Sequence, residues 1–186
     1  MNTTTKKSSL LAITLSLSGK DYKKILQSWN ILKNKYNIEF ISSRSPKPHI
    51  TIISGYIKNL SLIKKKIRRI YFKRFILRSA GLGVFLMENP LIYIRWEKNL
   101  YLTKLYELVD KNFNEKIFKK TKFSGSFYWV PKTTIAYKDF KIKNLDKIFK
   151  SLKKISKPLS VKVDKIELMS ASIKHGEKII FSKLLY

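Results

Sequence analysis

One five-residue phrase occurs twice in this chain, as Pro48-His49-Ile50-Thr51-Ile52 and as Pro131-Lys132-Thr133-Thr134-Ile135. Each copy reads proline, basic residue, any residue, threonine, isoleucine, and each runs on into apolar residues. Proline is tolerated at the first residue of a strand, and successive side chains of a strand alternate faces. His49 and Thr51 therefore share one face of their strand, and Lys132 and Thr134 share one face of theirs. A cation beside a hydroxyl on each of two strands suits a phosphate. The repeat predicts two similar half-domains with a site at their junction. The first copy offers a histidine, which exchanges protons near neutral pH. The second offers a lysine.

The rest of the chain follows the same two-round order. Leu10 to Leu17 alternates like a strand, and no small-residue cleavage site follows it, so a leader peptide is not expected. Asp21 is placed to cap a helix running to about Tyr36, with Ile25, Trp29 and Leu32 on one face. Ile38 to Ile41 reads as a short strand and residues 42–48 as a loop that delivers the first motif strand, His49 to Ile53. A basic helix is expected from Leu60 to Tyr71. Strand-like stretches at 75–77 and 83–87 follow, broken by Gly81-Leu82-Gly83, and then a strand from Leu91 to Trp96. The second round has a helix from Leu100 to Phe118, a polar loop at 121–126, the motif strand Lys132 to Tyr137 and a basic helix from Asn144 to Ile155. Strands at 161–169 and 179–185 close it, joined near Gly176. This is an α+β pattern, with helices outside and the motif strands facing a central cleft. Residues 1–9 are expected to be a disordered terminus. Residues 10–186 are expected to be one domain, with lobe one roughly 10–89 and lobe two roughly 90–186.

Charge narrows the partner. Forty Lys+Arg stand against 12 Asp+Glu, a net charge of +28. A field of that size gathers polyanions. The six arginines (Arg44, Arg68, Arg69, Arg74, Arg78 and Arg95) are few beside the lysines, and the chain is rich in Ile, Asn, Tyr and Phe, as an AT-rich genome would make it. Composition drift explains part of the lysine excess but not the scarcity of acids. There is no cysteine and there are two histidines. That excludes a disulfide framework, a thiolate metal site and a cysteine nucleophile. Metal-independent chemistry with no cofactor is expected. No stretch is apolar enough to span a bilayer, so no membrane partner is expected, and the location expected is the cytoplasm, or else an organellar matrix.

The two phrases and the order of elements resemble the two-histidine (2H) phosphoesterase superfamily, which includes the 2′-5′ RNA ligase-like proteins and RNA cyclic phosphodiesterases. That family carries a pair of His-x-Thr/Ser motifs, one in a strand of each lobe. His49-Ile50-Thr51 matches the first. Lys132-Thr133-Thr134 stands where the second belongs, with the threonine kept and the histidine replaced. Phe75 to Leu77 with Gly81 to Phe85 looks like the family's strand before the lobe crossover, and Val163 to Leu168 with Ser170, Gly176 and Phe181 looks like its closing hairpin. The resemblance implies a pseudo-duplicated, two-lobed fold with antiparallel sheets lining the cleft. It implies His49 as general base or acid and Thr51 and Thr134 as phosphate ligands. Lys132 departs from the pattern. A lysine with an ordinary pKa near ~10.4 supplies charge and three donors but does not act as a base at neutral pH. Loss of one member of an acid–base pair costs about 10²–10⁴ in rate.

The reading is an RNA-binding protein that holds a phosphate or an RNA end, with catalysis weak or lost. A place in an RNA-protein assembly is one role that needs no catalysis. The alternatives are an active 2′,3′-cyclic phosphodiesterase or 3′-end processing enzyme and, in a different class, a polyanion or membrane-surface scaffold. Around the second motif, Tyr128, Trp129 and Tyr137 are candidates to stack on bases, and Lys138 to meet phosphate. Plain core packing is expected for two of the four aromatic residues there, Phe127, Tyr128, Trp129 and Tyr137, because alternation sends half inward. His175, beside Gly176 in a turn, is read as solvated.

Overall fold

The structure is a computed structural model, and it describes residues 10–57, 59–113, 118–121, 129–172 and 176–186. Residues 1–9, Phe127, Tyr128 and His175 lie outside the described residues, with what was expected of them.

The first strand, β1 (Leu10–Ser18), buries Leu11, Ile13, Leu15 and Leu17. Helix α1 (Tyr22–Tyr36) follows, and Ile25, Trp29 and Leu32 give it one apolar face. Asp21 precedes it but does not cap it. Its carboxylate instead accepts the Ser160 N–H at 2.8 Å and pairs with Lys24 at 2.7 Å. The expected strand at 38–41 is a turn. Its backbone is held from outside, because Glu39 and Phe40 N–H groups both donate to the Asp139 carboxylate, at 2.7 and 2.6 Å. A side-chain acceptor has taken the place of a ladder partner.

The first motif strand is β2 (His49–Ile57), and helix α2 (Leu60–Arg68) comes next. The Asn59 side chain caps α2 by accepting from Leu62 N–H. The helix ends before the expected Tyr71. Strand β3 (Phe75–Phe85) is continuous where a break was expected, and Gly81, at φ +94, absorbs an irregularity within it. Strand β4 (Leu91–Trp96) and helix α3 (Leu100–Asn112) follow, with Asn99 capping α3 through Leu102 N–H. The short β5 (Phe118–Lys120) was not expected. After the second motif strand, β6 (Lys132–Tyr137), the expected helix at 144–155 is split into α4 (Leu145–Ser151) and α5 (Lys153–Ser156). Strands β7 (Ser160–Ser172) and β8 (Gly176–Leu184) close the fold.

All pairings are antiparallel. The strand order is β5-β2-β1-β7-β3-β4-β6, with β8 also on β7. Strands β7 and β8 return to the sheet of β1 and β2. Strand β3 joins the two sheets: Phe75 to Arg78 pair with β7, and Ser79 and Leu82 to Phe85 pair with β4. Helix α2 packs on β8 and α3 on β2, whereas α4 and α5 pack on α1. The architecture is α+β, an eight-stranded antiparallel sheet with helices packed against it.

Candidate functional site

The motif strands end up beside each other. Although they stand far apart in the strand order, β2 and β6 approach in space. Trp129 ties them, its indole N–H donating to the Thr51 carbonyl at 2.9 Å. The first five residues of each strand have the same burial pattern: basic residue and threonine half-buried, and the residues between and after them buried. The alternation read from the sequence is thus present in both, with His49 and Thr51 on one partly open face and Lys132 and Thr134 on the other.

The His49 ring is well fixed. Its Nδ1 lies 3.1 Å from the Lys47 carbonyl. A carbonyl only accepts, so Nδ1 carries the hydrogen and Nε2 keeps its lone pair. Ser45 Oγ is 3.4 Å from the same nitrogen, and a Glu177 carboxylate oxygen is 4.0 Å away. That oxygen, Oε2, is buried and has no hydrogen-bond partner among the described residues, so the ring is its near polar neighbour. Gly176 makes this approach possible. At φ +73, its position would put a Cβ 2.5 Å from the Arg44 carbonyl, and Glu177 N–H donates to that same carbonyl at 2.6 Å.

Lys47 has its own anchor. Its ammonium donates to Ser16 Oγ at 2.8 Å and pairs with Glu167 at 2.7 Å. Residues directly opposite across a ladder share a face. The row Thr51–Thr14–Glu167–Ser182 and the row His49–Ser16–Lys165–Leu184 therefore form one polar face across β2, β1, β7 and β8. Between them, Ile50, Leu15 and Ile166 point the other way, into the core. Burying Glu167 would cost several kcal/mol without a partner, and Lys47 supplies one. Burial and then the Glu167 charge raise the pKa of Tyr22.

Lys132 sits half-buried opposite Arg95 on β4. Among the described residues no carboxylate pairs with it, and burial pushes its pKa below the ordinary lysine range. Beneath it, Thr133 is buried and accepts the Trp96 indole N–H at 2.9 Å. Trp129 is buried and stacked on Tyr106, with ring centroids 4.3 Å apart, so it offers no free face. Tyr137 and Lys138 are drawn to the first motif's loop instead. Tyr137 meets Phe40 edge-on, and the Lys138 ammonium lies 4.2 Å from the same ring, which also takes the Arg44 guanidinium at 4.7 Å. Lys47, Glu167, Ser16 and Glu177 were missed in the sequence. An acid between Ile166 and Leu168, in a chain so poor in acids, was the available signal for Glu167.

No protein-family model and no curated protein matches the chain. Solved structures do. TT0787 of Thermus thermophilus superposes with a TM-score of 0.68 at 13% identity, over 95% of this chain and 97% of that one. E. coli LigT in complex with 3′-AMP gives 0.62 at 14% identity, over 96% and 99%. The chain has the LigT fold. A further structure, described as a phosphoesterase, gives 0.62 at 12% identity over 96% and 99%. The LigT fold is the one that the resemblance to the two-histidine phosphoesterases implies, and it covers nearly the whole of both chains.

Proposed function

We propose that this protein binds RNA, holding a phosphate or an RNA end between its two motif strands, with hydrolysis weak or lost. The observation that carries the reading is the pairing at one place of two equivalent strands, each presenting a basic residue and a threonine. One of the basic residues is a half-buried lysine with no carboxylate partner among the described residues. An ammonium drawn out of water without a counter-charge favours an anion. Thr51 and Thr134 would donate their hydroxyls to its oxygens. The LigT structure of this fold holds 3′-AMP, a nucleotide with a terminal phosphate, and the +28 charge supports a polyanionic partner.

A second reading, an active 2′,3′-cyclic phosphodiesterase, draws on the same two residues. His49 Nε2 would take a proton from water as the water oxygen bonds to phosphorus. The bond from phosphorus to one ribose oxygen would break, and the Lys132 ammonium would give that oxygen its proton. A lysine whose pKa is lowered by burial is the better acid for this step.

Turnover of a short RNA ending in a 2′,3′-cyclic phosphate separates the two. Binding without turnover is expected of the wild type, and a gain of turnover by at least ~10² on Lys132→His, the size of a restored acid–base partner. Wild-type turnover that His49→Ala abolishes would establish the second reading instead. Failure of the wild type to bind the RNA end would remove both.

A further inference from the structure

Outside the cleft, the described surface carries a strip of open aromatic rings. Tyr71 and Tyr186 stack face to face, with centroids 3.9 Å apart and an interplanar angle of 19°. Tyr71 is 74% exposed and Tyr186 44%. The strip continues through Phe72 and Phe75, 6.0 Å apart, to Tyr101 on the first turn of α3, which stacks on Phe75 at 5.9 Å and is 52% exposed. The backbone fixes it: Tyr186 N–H donates to the Phe72 carbonyl, and Arg74 N–H donates to the Tyr186 carbonyl at 2.8 Å. Lys183 bonds the Arg68 and Ile70 carbonyls at the end of α2, holding the segment that carries Tyr71.

Phe75 is buried in the core and Phe72 packs against it, whereas Tyr71, Tyr186 and Tyr101 stay largely open yet are held in place. Cations alternate with them along the chain, as Arg69, Tyr71, Phe72, Lys73, Arg74 and Phe75, and all three cations are exposed. No acidic residue stands between Glu39 and Glu88. A protein partner or an apolar ligand would not need that charge. Flat ring faces bordered by cations match the bases and phosphates of a single strand. The strip is also in line with the cleft. Leu184, two residues before Tyr186, lies in the same cross-strand row as His49, three strand spacings or ~14 Å away.

We propose that Tyr71, Tyr186 and Tyr101, rimmed by Arg69, Lys73 and Arg74, form a second binding surface for single-stranded RNA, where bases stack beyond the end held at His49. The choice of RNA as the polyanion rests on the reading of the cleft given above. Two probes keep the claims apart: a labelled oligouridylate 15-mer and a uridine dinucleotide, both ending in a 3′-phosphate, each titrated at fixed salt. Tyr71→Ala and Tyr101→Ala are each expected to weaken 15-mer binding by roughly 5- to 150-fold, the range for one stacked base. Dinucleotide binding should not change, and Tyr71→Phe, which keeps the ring, should bind like the wild type. None of these substitutions removes a charge, so the salt dependence of 15-mer binding should stay the same. Equal 15-mer affinity in the wild type and both alanine variants would overturn the proposal and leave the strip to a protein partner. A loss in Tyr71→Phe as large as in Tyr71→Ala, or an equal loss for both probes, would also overturn it. If His49→Ala leaves dinucleotide binding intact while the tyrosine effects hold, the strip stands and the cleft reading falls.

Discussion

A carboxylate 2.8 Å from a backbone N–H and 2.7 Å from an ammonium is a folding contact with a pH signature, and Asp21 is such a group. The Lys24 bond first, and then the Ser160 N–H, lower its pKa below the usual value of 3.8. Folding therefore favours the ionised form. Its contribution is complete above the unfolded pKa near ~3.9 and is lost as pH falls through the lower folded value. Asp21→Asn should lower stability by about 1 kcal/mol at pH 7, with the difference shrinking below pH ~4 in paired urea melts. The sequence placed Asp21 at the start of a helix correctly but assigned it the wrong partner. Capping is a local rule, and Ser160 reaches Asp21 only through the pairing of β7 with β1. The same limit explains the candidate site. His49, Thr51, Lys132 and Thr134 were legible because alternation within a strand is local. The Lys47–Glu167 pair that steadies the histidine's loop was not, because it spans elements far apart in the chain.

At the scale of elements, the contact between the β7–β8 hairpin and the loop before β2 turns on one residue. Gly176→Ala would meet the Arg44 carbonyl and impose a positive φ on a residue with a Cβ. A cost of about 1–3 kcal/mol is expected, and Glu177 would be drawn away from His49. Chemical denaturation reads the first effect, and loss of the NMR cross-peaks between the Glu177 side chain and the His49 ring reads the second. Strands were recovered better than helices from the sequence. Period-two alternation of burial is present in the first residues of β2, β3, β6 and β7. Of the basic helices, α2 stops at Arg68, short of Tyr71, and the one expected at 144–155 reaches Ser156 but is split at Leu152. Runs of lysine carry helix propensity but no signal for where a helix stops.

For the whole molecule, the two basic helical regions cover different neighbours, α2 against β8 and α4 and α5 against α1. With a net charge of +28, binding to a long RNA should be governed by salt. Raising salt from about 50 to 200 mM should weaken binding to a 15-mer by about 10²–10⁴, and binding to a dinucleotide by less than about tenfold, as the number of phosphates engaged dictates. Equal losses for the two would show that the field, and not a defined site, captures both.

The return of β7 to β1 has a consequence for how the protein is made. Strand β1 is made before both of the strands it lies between, β2 and β7, and β7 is not complete until Ser172. The sheet that holds His49 thus stays unfinished until β7 has been made. Until then one edge of β1 stays open, and a nascent chain with an unpaired strand edge is one that chaperones must shield.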